Sequence, residues 1–320
     1  MKLYEHPDFE QAILQASDYF HTKGLRPALI EKDYYVTEVL RIVATTVGDK
    51  VIFKGGTSLS KGWNLIQRFS EDIDLFLDPL AFEPALRKRA IDRELKRLRD
   101  FISKHPALTY VKGESRTIGG FGRSDSFSFR QRFGGPGEIA GRVLLEAGTA
   151  SGREPTEIVE LHSYLGTYLN KHHFSLSTED EGSFRMRLLH FRRTFVEKLF
   201  AIHGKVELMK RKGTPIGAYA RHYYDLFQLA AHPEVTAMLA SGEYTQIKAN
   251  YDEISTLHFA QSYFAPEAMS FARSDALFPA PDLAAALRAE YDVQCRQLCL
   301  GPYPSWEDLQ SRFDSLKEIL

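Results

Sequence analysis

The run KGGTSLSKGWNLIQRFSEDIDLFL, residues 54–77, decides how this chain is read. A short apolar strand, VIFK at 51–54, ends in a Gly55-Gly56 turn; a helix is predicted from Thr57 to about Leu65, and a second strand, DIDLFLD, over 72–78. Alternation along a strand sends Asp72 and Asp74 to one face and Ile73 to the other. Two adjacent carboxylates repel each other unless a cation lies between them. Hard oxygen donors suit Mg²⁺ (or Mn²⁺), and Mg²⁺ typically takes one or two carboxylates and completes its shell with substrate phosphates. Two such ions about 4 Å apart can clamp the attacking and leaving oxygens of a phosphoryl displacement. Asp72 and Asp74 are therefore the candidate metal ligands. Gly55 and Gly56 lack a Cβ and let a triphosphate approach the backbone, while Thr57 and Ser58 offer hydroxyls and helix N-terminal amides to phosphate oxygens. Lys61 and Ser70 complete the candidate nucleotide-binding set. A P-loop is excluded, because Ser60-Lys61-Gly62 lacks both the second glycine and the hydroxyl after lysine. The Asp-x-Asp of sugar-nucleotide transferases leaves the Gly-Gly-Thr-Ser turn unexplained.

Outward from this run, residues 8–45 read as helical, with Leu29, Ile30, Val36, Leu40 and Val43 near one face. Residues 82–104 suit an amphipathic surface helix. Strands are predicted at 108–114, 126–133 and 141–148, with Phe127, Phe129 and Phe133 alternating against Ser128, Arg130 and Arg132. Gly119-Gly120 breaks this stretch, and GGPGE at 134–138 reads as a turn. After Phe184 the pattern is helical: one long helix from Arg185, interrupted near Gly204, then ARHYYDLFQLAAH, then helices over the last forty residues. STEDEGS at 177–183 reads as a linker or loop. Two domains follow, a mixed α/β one over 1–170 and a helical one over 171–320.

The 320 residues carry a net charge of −1, with 43 % apolar and 26 % charged residues, ordinary globular values that name no partner. Cys295 and Cys299 stand at helical spacing without nearby histidines, which makes neither a disulfide framework nor a zinc site. The N-terminus has no apolar signal region and no apolar run approaches the roughly 20 residues of a membrane span. The expectation is a soluble protein of a reducing compartment, with no membrane partner.

The segments GGTSLSK and RFSEDIDL resemble the signature of the nucleotidyltransferase fold superfamily, and more narrowly the AbiEii/AbiGii toxin family of bacterial toxin–antitoxin and phage abortive-infection systems. IEKDYYVTEVLR at 30–41, FVEKLFAI at 195–202 and ARHYYDLFQL at 220–229 are similar to three further segments of that family. Two departures stand out: a longer gap between Gly56 and Asp72 than in the minimal superfamily pattern, and His222 where the family often has aspartate. The resemblance implies an α+β fold, a nucleotidyltransferase-like mixed sheet with flanking helices followed by a helical C-terminal domain. It makes Lys198 the counterpart of a catalytic lysine, able to neutralise charge on departing pyrophosphate. Asp225 is the counterpart of a second essential acid, holding Lys198 or a metal-bound water. Glu146, on the strand GRVLLEAG, is either a third carboxylate or a solvated strand residue. Lys32 and Asp33 either face solvent or pack against the α/β domain.

Arg185, Arg187, Arg192, Arg193, Lys198, Lys205, Lys210, Arg211, Lys212 and Arg221 crowd the stretch 185–221, opposed there only by Glu197 and Glu207. Such density suits RNA phosphates, or else triphosphate binding plus solvated helix faces. Some members of the family add nucleotides to the 3′ end of tRNA and so block translation. The resemblance thus implies a nucleoside triphosphate donor, an RNA acceptor with the tRNA 3′ end foremost, a cognate antitoxin and a bacterial cytoplasmic setting. Nucleotidylation of a protein side chain and a non-enzymatic GTP- or nucleotide-binding module are the alternatives.

Overall fold

Three apolar residues followed by lysine make β1 (Val51–Lys54) a strand that can be buried on both faces, and its first three side chains have 1 % exposure or less. In the computed structural model, which describes residues 1–70, 72–134 and 139–320, β1 lies inside a mixed eight-stranded sheet. The other strands are β2 (Asp72–Leu77), β3 (Thr109–Tyr110), β4 (Arg116–Ile118), β5 (Gly122–Ser128), β6 (Arg142–Gly148), β7 (Thr156–Leu161) and β8 (Phe184–Leu189). The order is β3-β5-β6-β2-β1-β8-β7, with β4 paired to β5. β1 runs antiparallel to β2 and parallel to β8, and β2 runs parallel to β6. This is the α+β architecture expected from the sequence. The turn read at GGPGE lies outside the described residues from 135 onward.

Helices pack on this sheet. The stretch read as helical over 8–45 is two helices, α1 (Phe9–Tyr19) and α2 (Pro27–Val47), because Gly24 takes a left-handed φ of 69° and Pro27 opens α2 at its first turn. α3 (Gly55–Lys61) stops short of Leu65, and Asn64 adopts a positive φ of 52°. α4 (Lys88–Ile102) is the expected amphipathic helix, burying Ile91, Leu95, Leu98 and Ile102 at helical spacing. α5 (Tyr164–Lys171) opens on Ser163, whose hydroxyl accepts from the Gly166 N–H.

The most instructive difference concerns residues 184–190. Arg185–Leu189 was expected to begin a long helix but forms β8. Phe184, Met186 and Leu188 alternate with Arg185 and Arg187, a period of two that wins because β1 and β7 lie ready to pair on either side. His190 then accepts a hydrogen bond from the Arg192 N–H and starts α6 (Phe191–Lys212), which continues through Gly204 and ends at the left-handed Gly213. β7 gave no clear sequence signal, having only Ile158, Val159 and Leu161 as apolar residues.

Contacts gather the chain into two compact units, one of residues 1–62, 70–149 and 156–189, the other of 63–69, 150–155 and 190–320. The second is helical: α6, α7 (Arg221–Ala230), α8 (Pro233–Leu239), α9 (Gly242–Phe259), α10 (Pro281–Leu298) and α11 (Trp306–Leu316). Within the first, the acidic loop at 177–183 is anchored. Asp180 is 2 % exposed and accepts hydrogen bonds from the Leu3 N–H at 2.8 Å and the Tyr34 hydroxyl at 2.6 Å. Asp180→Ala leaves both donors buried without an acceptor and is expected to cost about 3 kcal/mol in urea unfolding, against under 0.5 kcal/mol for the exposed Glu179→Ala.

Candidate active site

β1 delivers Lys54 and, immediately after it, Gly55 with φ of 77°. A Cβ built at Gly55 would stand 1.9 Å from Asp74 Oδ2 and 2.8 Å from its Cγ. Glycine is therefore required twice here, by the positive φ and by the carboxylate lying against the backbone. Lys54 and Asp74 are register partners across β1 and β2, Asp74 and Glu146 across β2 and β6, and Glu146 and Ser124 across β6 and β5. Lateral partners in a sheet project to the same face, so these residues form one row, with Asp72 two positions along the same strand. Ile73 is fully buried on the opposite face. Glu146 is 36 % exposed and lies 4.0 Å from Arg116, which puts it on the carboxylate face but half in solvent.

The residues after the turn are engaged with backbone. The buried Thr57 hydroxyl donates to the Asp72 carbonyl at 2.5 Å, and the buried Ser58 hydroxyl donates to the Gly55 carbonyl at 2.9 Å. They shape the turn, so what α3 presents to a phosphate is its N-terminal amides and the Gly55-Gly56 backbone. Ser70 is half-buried two residues ahead of Asp72. Lys61 reaches Asp33 at 2.5 Å and the His162 carbonyl at 2.8 Å, while the other Asp33 oxygen accepts the Tyr164 N–H at 2.7 Å. Asp33 thus ties α2 to both α3 and α5. Lys32 is 1 % exposed. Packing, not solvation, explains both.

Asp72 and Asp74, half-buried on one face, fit a divalent cation that draws its other ligands from substrate phosphate. Among the described residues, no three His, Cys, Asp or Glu side chains converge into an all-protein metal cage.

The helical unit holds a second constellation. Asp225, on α7, is 0 % exposed. Arg68 grips it with Nε at 2.6 Å and Nη2 at 2.7 Å, and Lys198, on α6, comes to 2.7 Å of Oδ2. Lys198 Nζ also stands 3.0 Å from His222 Nδ1. Burial acts to raise the Asp225 pKa, but the charges of Arg68 and Lys198 overcome it and hold the carboxyl well below the ordinary carboxylate range. Burial pushes the Lys198 ammonium down, opposed by Asp225 and reinforced by Arg68. Burial, then Lys198, pushes His222 down to about 3. The imidazole is therefore neutral near pH 7 and accepts the Lys198 N–H on Nδ1. Arg221 also disfavours charge on Lys198, and its own Nε is buried with no hydrogen-bond partner among the described residues.

Lys198 is buried, and its chain neighbour Glu197 pairs with Arg193 at 3.1 Å. Sequence reasoning missed Arg68, which stands in the quoted RFSEDIDL segment; a buried aspartate facing one lysine was the signal that a second cation was needed. It also missed the parts of His222 and Arg221. Much of the basic stretch is internally paired: Arg192 with Glu234 and Glu243, Arg193 with Glu197, and Lys210 with Glu207 and Asp275.

Two outcomes follow from this cluster. Arg68→Ala strands Asp225 with a single cation and is expected to destabilise the protein by about 3–5 kcal/mol in denaturant unfolding. The folded-state pKa of His222 is depressed, so the unfolded chain binds the proton more readily. Its contribution to stability is complete above about pH 6.5 and is lost as pH falls towards 3. His222→Gln should flatten the fall in stability between pH 6 and 4.5 by up to about 1.4 kcal/mol per pH unit; identical slopes would contradict the assignment. His105 and His190, also pushed down by burial, to about 4, add the same slope to both proteins.

No curated protein matches this chain. A family model described as the nucleotidyl transferase AbiEii toxin of type IV toxin–antitoxin systems matches residues 39–310, which takes in β2 with Asp72 and Asp74, Glu146 and the whole Arg68, Lys198, His222 and Asp225 cluster. The chain belongs to the AbiEii nucleotidyl transferase toxin family of type IV toxin–antitoxin systems.

Proposed function

We propose that this protein is a metal-dependent nucleotidyltransferase that moves a nucleotide from a nucleoside triphosphate to the 3′-hydroxyl of an RNA, the tRNA 3′ end foremost, and so blocks translation until a cognate antitoxin restrains it. The observation that carries this reading is the pair Asp72 and Asp74 on one face of β2, with Asp74 seated against the Gly55 backbone where no other residue leaves room. In the reaction the acceptor oxygen bonds to the α-phosphorus, the bond from that phosphorus to the β-bridging oxygen breaks, the hydroxyl proton passes to solvent, and pyrophosphate leaves.

Asp72 and Asp74 would hold Mg²⁺ or Mn²⁺, which when bound supplies Lewis-acid polarisation of the α-phosphate and a lowered pKa for the attacking hydroxyl. Gly55, Gly56 and the first amides of α3 receive phosphate oxygens. Lys61, fixed by Asp33, braces that turn. Glu146, the register partner of Asp74, serves the same face as a further ligand or proton acceptor. Lys198 carries positive charge for the departing pyrophosphate. Asp225, with Arg68, holds its ammonium in place. The cluster favours this role, since Arg68, Lys198 and Arg221 outnumber the single charge of Asp225 and leave an excess of positive charge for an anion. Exposed Arg185, Arg211 and Lys212 support an RNA acceptor. No helix among the described residues is long and apolar enough to cross a membrane, and we place the activity in the bacterial cytoplasm, beside its substrates.

The test is incubation with tRNA and each triphosphate, followed by sequencing of RNA 3′ ends. Wild type should extend the ends, while Asp72→Asn and Asp74→Asn should each lose at least about a thousandfold in rate, and chelation should abolish it. Gly55→Ala displaces Asp74 and should cost about a hundredfold. Unaltered RNA with labelled protein would overturn the acceptor; unaltered rates in both aspartate variants would overturn the enzyme.

A further inference from the structure

α6 and α9 border a cavity of about 280 Å³ that none of the roles above uses. Its walls are aromatic: Phe200 from α6, Tyr251 and Phe259 from α9, and Tyr219 from the turn before α7. Phe200 and Tyr251 are already stacked, 4.2 Å between centroids at 15°. Tyr219 and Phe259 are each 39 % exposed, so ring surface is open to solvent. Lys205 lies 4.2 Å from the Tyr219 ring centroid, and among the described residues none lining the cavity carries a carboxylate.

Gly204 gives the strongest indication that the space is kept open. It sits inside α6, where glycine is the least favourable residue after proline. Nothing lies within 4 Å of where its Cβ would be, so packing does not demand glycine. A side chain there would enter the cavity.

The ligand that matches is flat, aromatic and singly anionic. A volume below that of ordinary drug-sized sites suits one ring system, and base stacking on aromatic side chains beside a cation is how proteins hold single-stranded nucleic acid. One lysine does not balance a triphosphate. We infer that this cavity is a stacking site for one unpaired nucleobase of a single-stranded RNA, with Lys205 meeting the adjoining phosphodiester. The inference deepens the RNA reading above and rests on it for the identity of the acceptor.

The experiment reads binding without transfer. Fluorescence anisotropy with a 5′-labelled single-stranded hexaribonucleotide is run in EDTA on the full chain, with an abasic hexamer and a nucleoside triphosphate as competitors. Gly204→Leu should weaken binding at least tenfold while leaving the melting temperature equal or higher, since leucine suits a helix better. Tyr219→Ala and Phe259→Ala, at exposed rings, should each weaken it about fivefold or more. The abasic hexamer should compete poorly, and the triphosphate should not displace the RNA. Unchanged affinity in Gly204→Leu and Tyr219→Ala, or equal competition by the abasic hexamer, would overturn the site. Displacement by the triphosphate would overturn RNA as its source. Intact RNA binding in a protein that transfers nothing would instead count against the enzymatic reading and leave the site standing.

Discussion

A carboxylate sealed from water needs cations, and in the helical unit Asp225 sets that requirement. Arg68 meets it bidentately, Lys198 from a second direction, and the neutral His222 takes a hydrogen bond from Lys198. The cations come from distant parts of the chain, so the demand is also a folding constraint. Residues 63–69 belong to the helical unit although they interrupt the run between α3 and β2. They are held there by more than charge: the Phe69 N–H donates to the Leu298 carbonyl at 2.7 Å, the Leu300 N–H to the Gln67 carbonyl at 3.0 Å, and the Gln67 N–H to the Tyr224 hydroxyl at 3.1 Å. The unusually long gap between Gly56 and Asp72 thereby gains a physical reason. It carries Arg68 to Asp225.

The sheet unit obeys a steric constraint of comparable force. Gly55 has a left-handed φ, and the Asp74 carboxylate occupies the position its Cβ would take. Lys54 and Glu146 flank Asp74 in the same row, which places one cation and one further carboxylate beside it on the sheet. Neither constraint by itself specifies a reaction. A pair of carboxylates beside an open turn, in a chain of the AbiEii family, is the arrangement on which the proposed metal-assisted phosphoryl chemistry rests.

Much of this was legible from residues 54–77. Alternation put Asp72 and Asp74 on one face and Ile73 on the other, and Ile73 is indeed fully buried. Both strands stand where the pattern placed them, while α3 opens at Gly55 rather than at Thr57, so the Gly-Gly pair forms the start of the helix. What was not legible had two causes. Period-two and period-3.6 readings competed over Arg185–Leu189, and neighbouring strands rather than local preference decided for β8. Charge was the other cause: a count of lysines and arginines over 185–221 cannot see that Arg192 and Lys210 meet carboxylates from elsewhere in the chain, Glu234 and Glu243 for the one and Asp275 for the other. Burial hid Lys198 and Arg68 in the same way, since the sequence shows a charged residue but not the partner that lets it be buried.

In the proposed reaction the α-phosphate, and not the γ-phosphate, is the centre attacked. Parallel incubations of the protein, Mg²⁺ and RNA with a triphosphate labelled at the α- or the γ-phosphorus distinguish the two. Nucleotidyl transfer requires that the α-label enter the RNA and the γ-label leave as pyrophosphate, in equal amounts. Appearance of the γ-label on RNA, or release of γ-labelled orthophosphate with unmodified RNA, would contradict it.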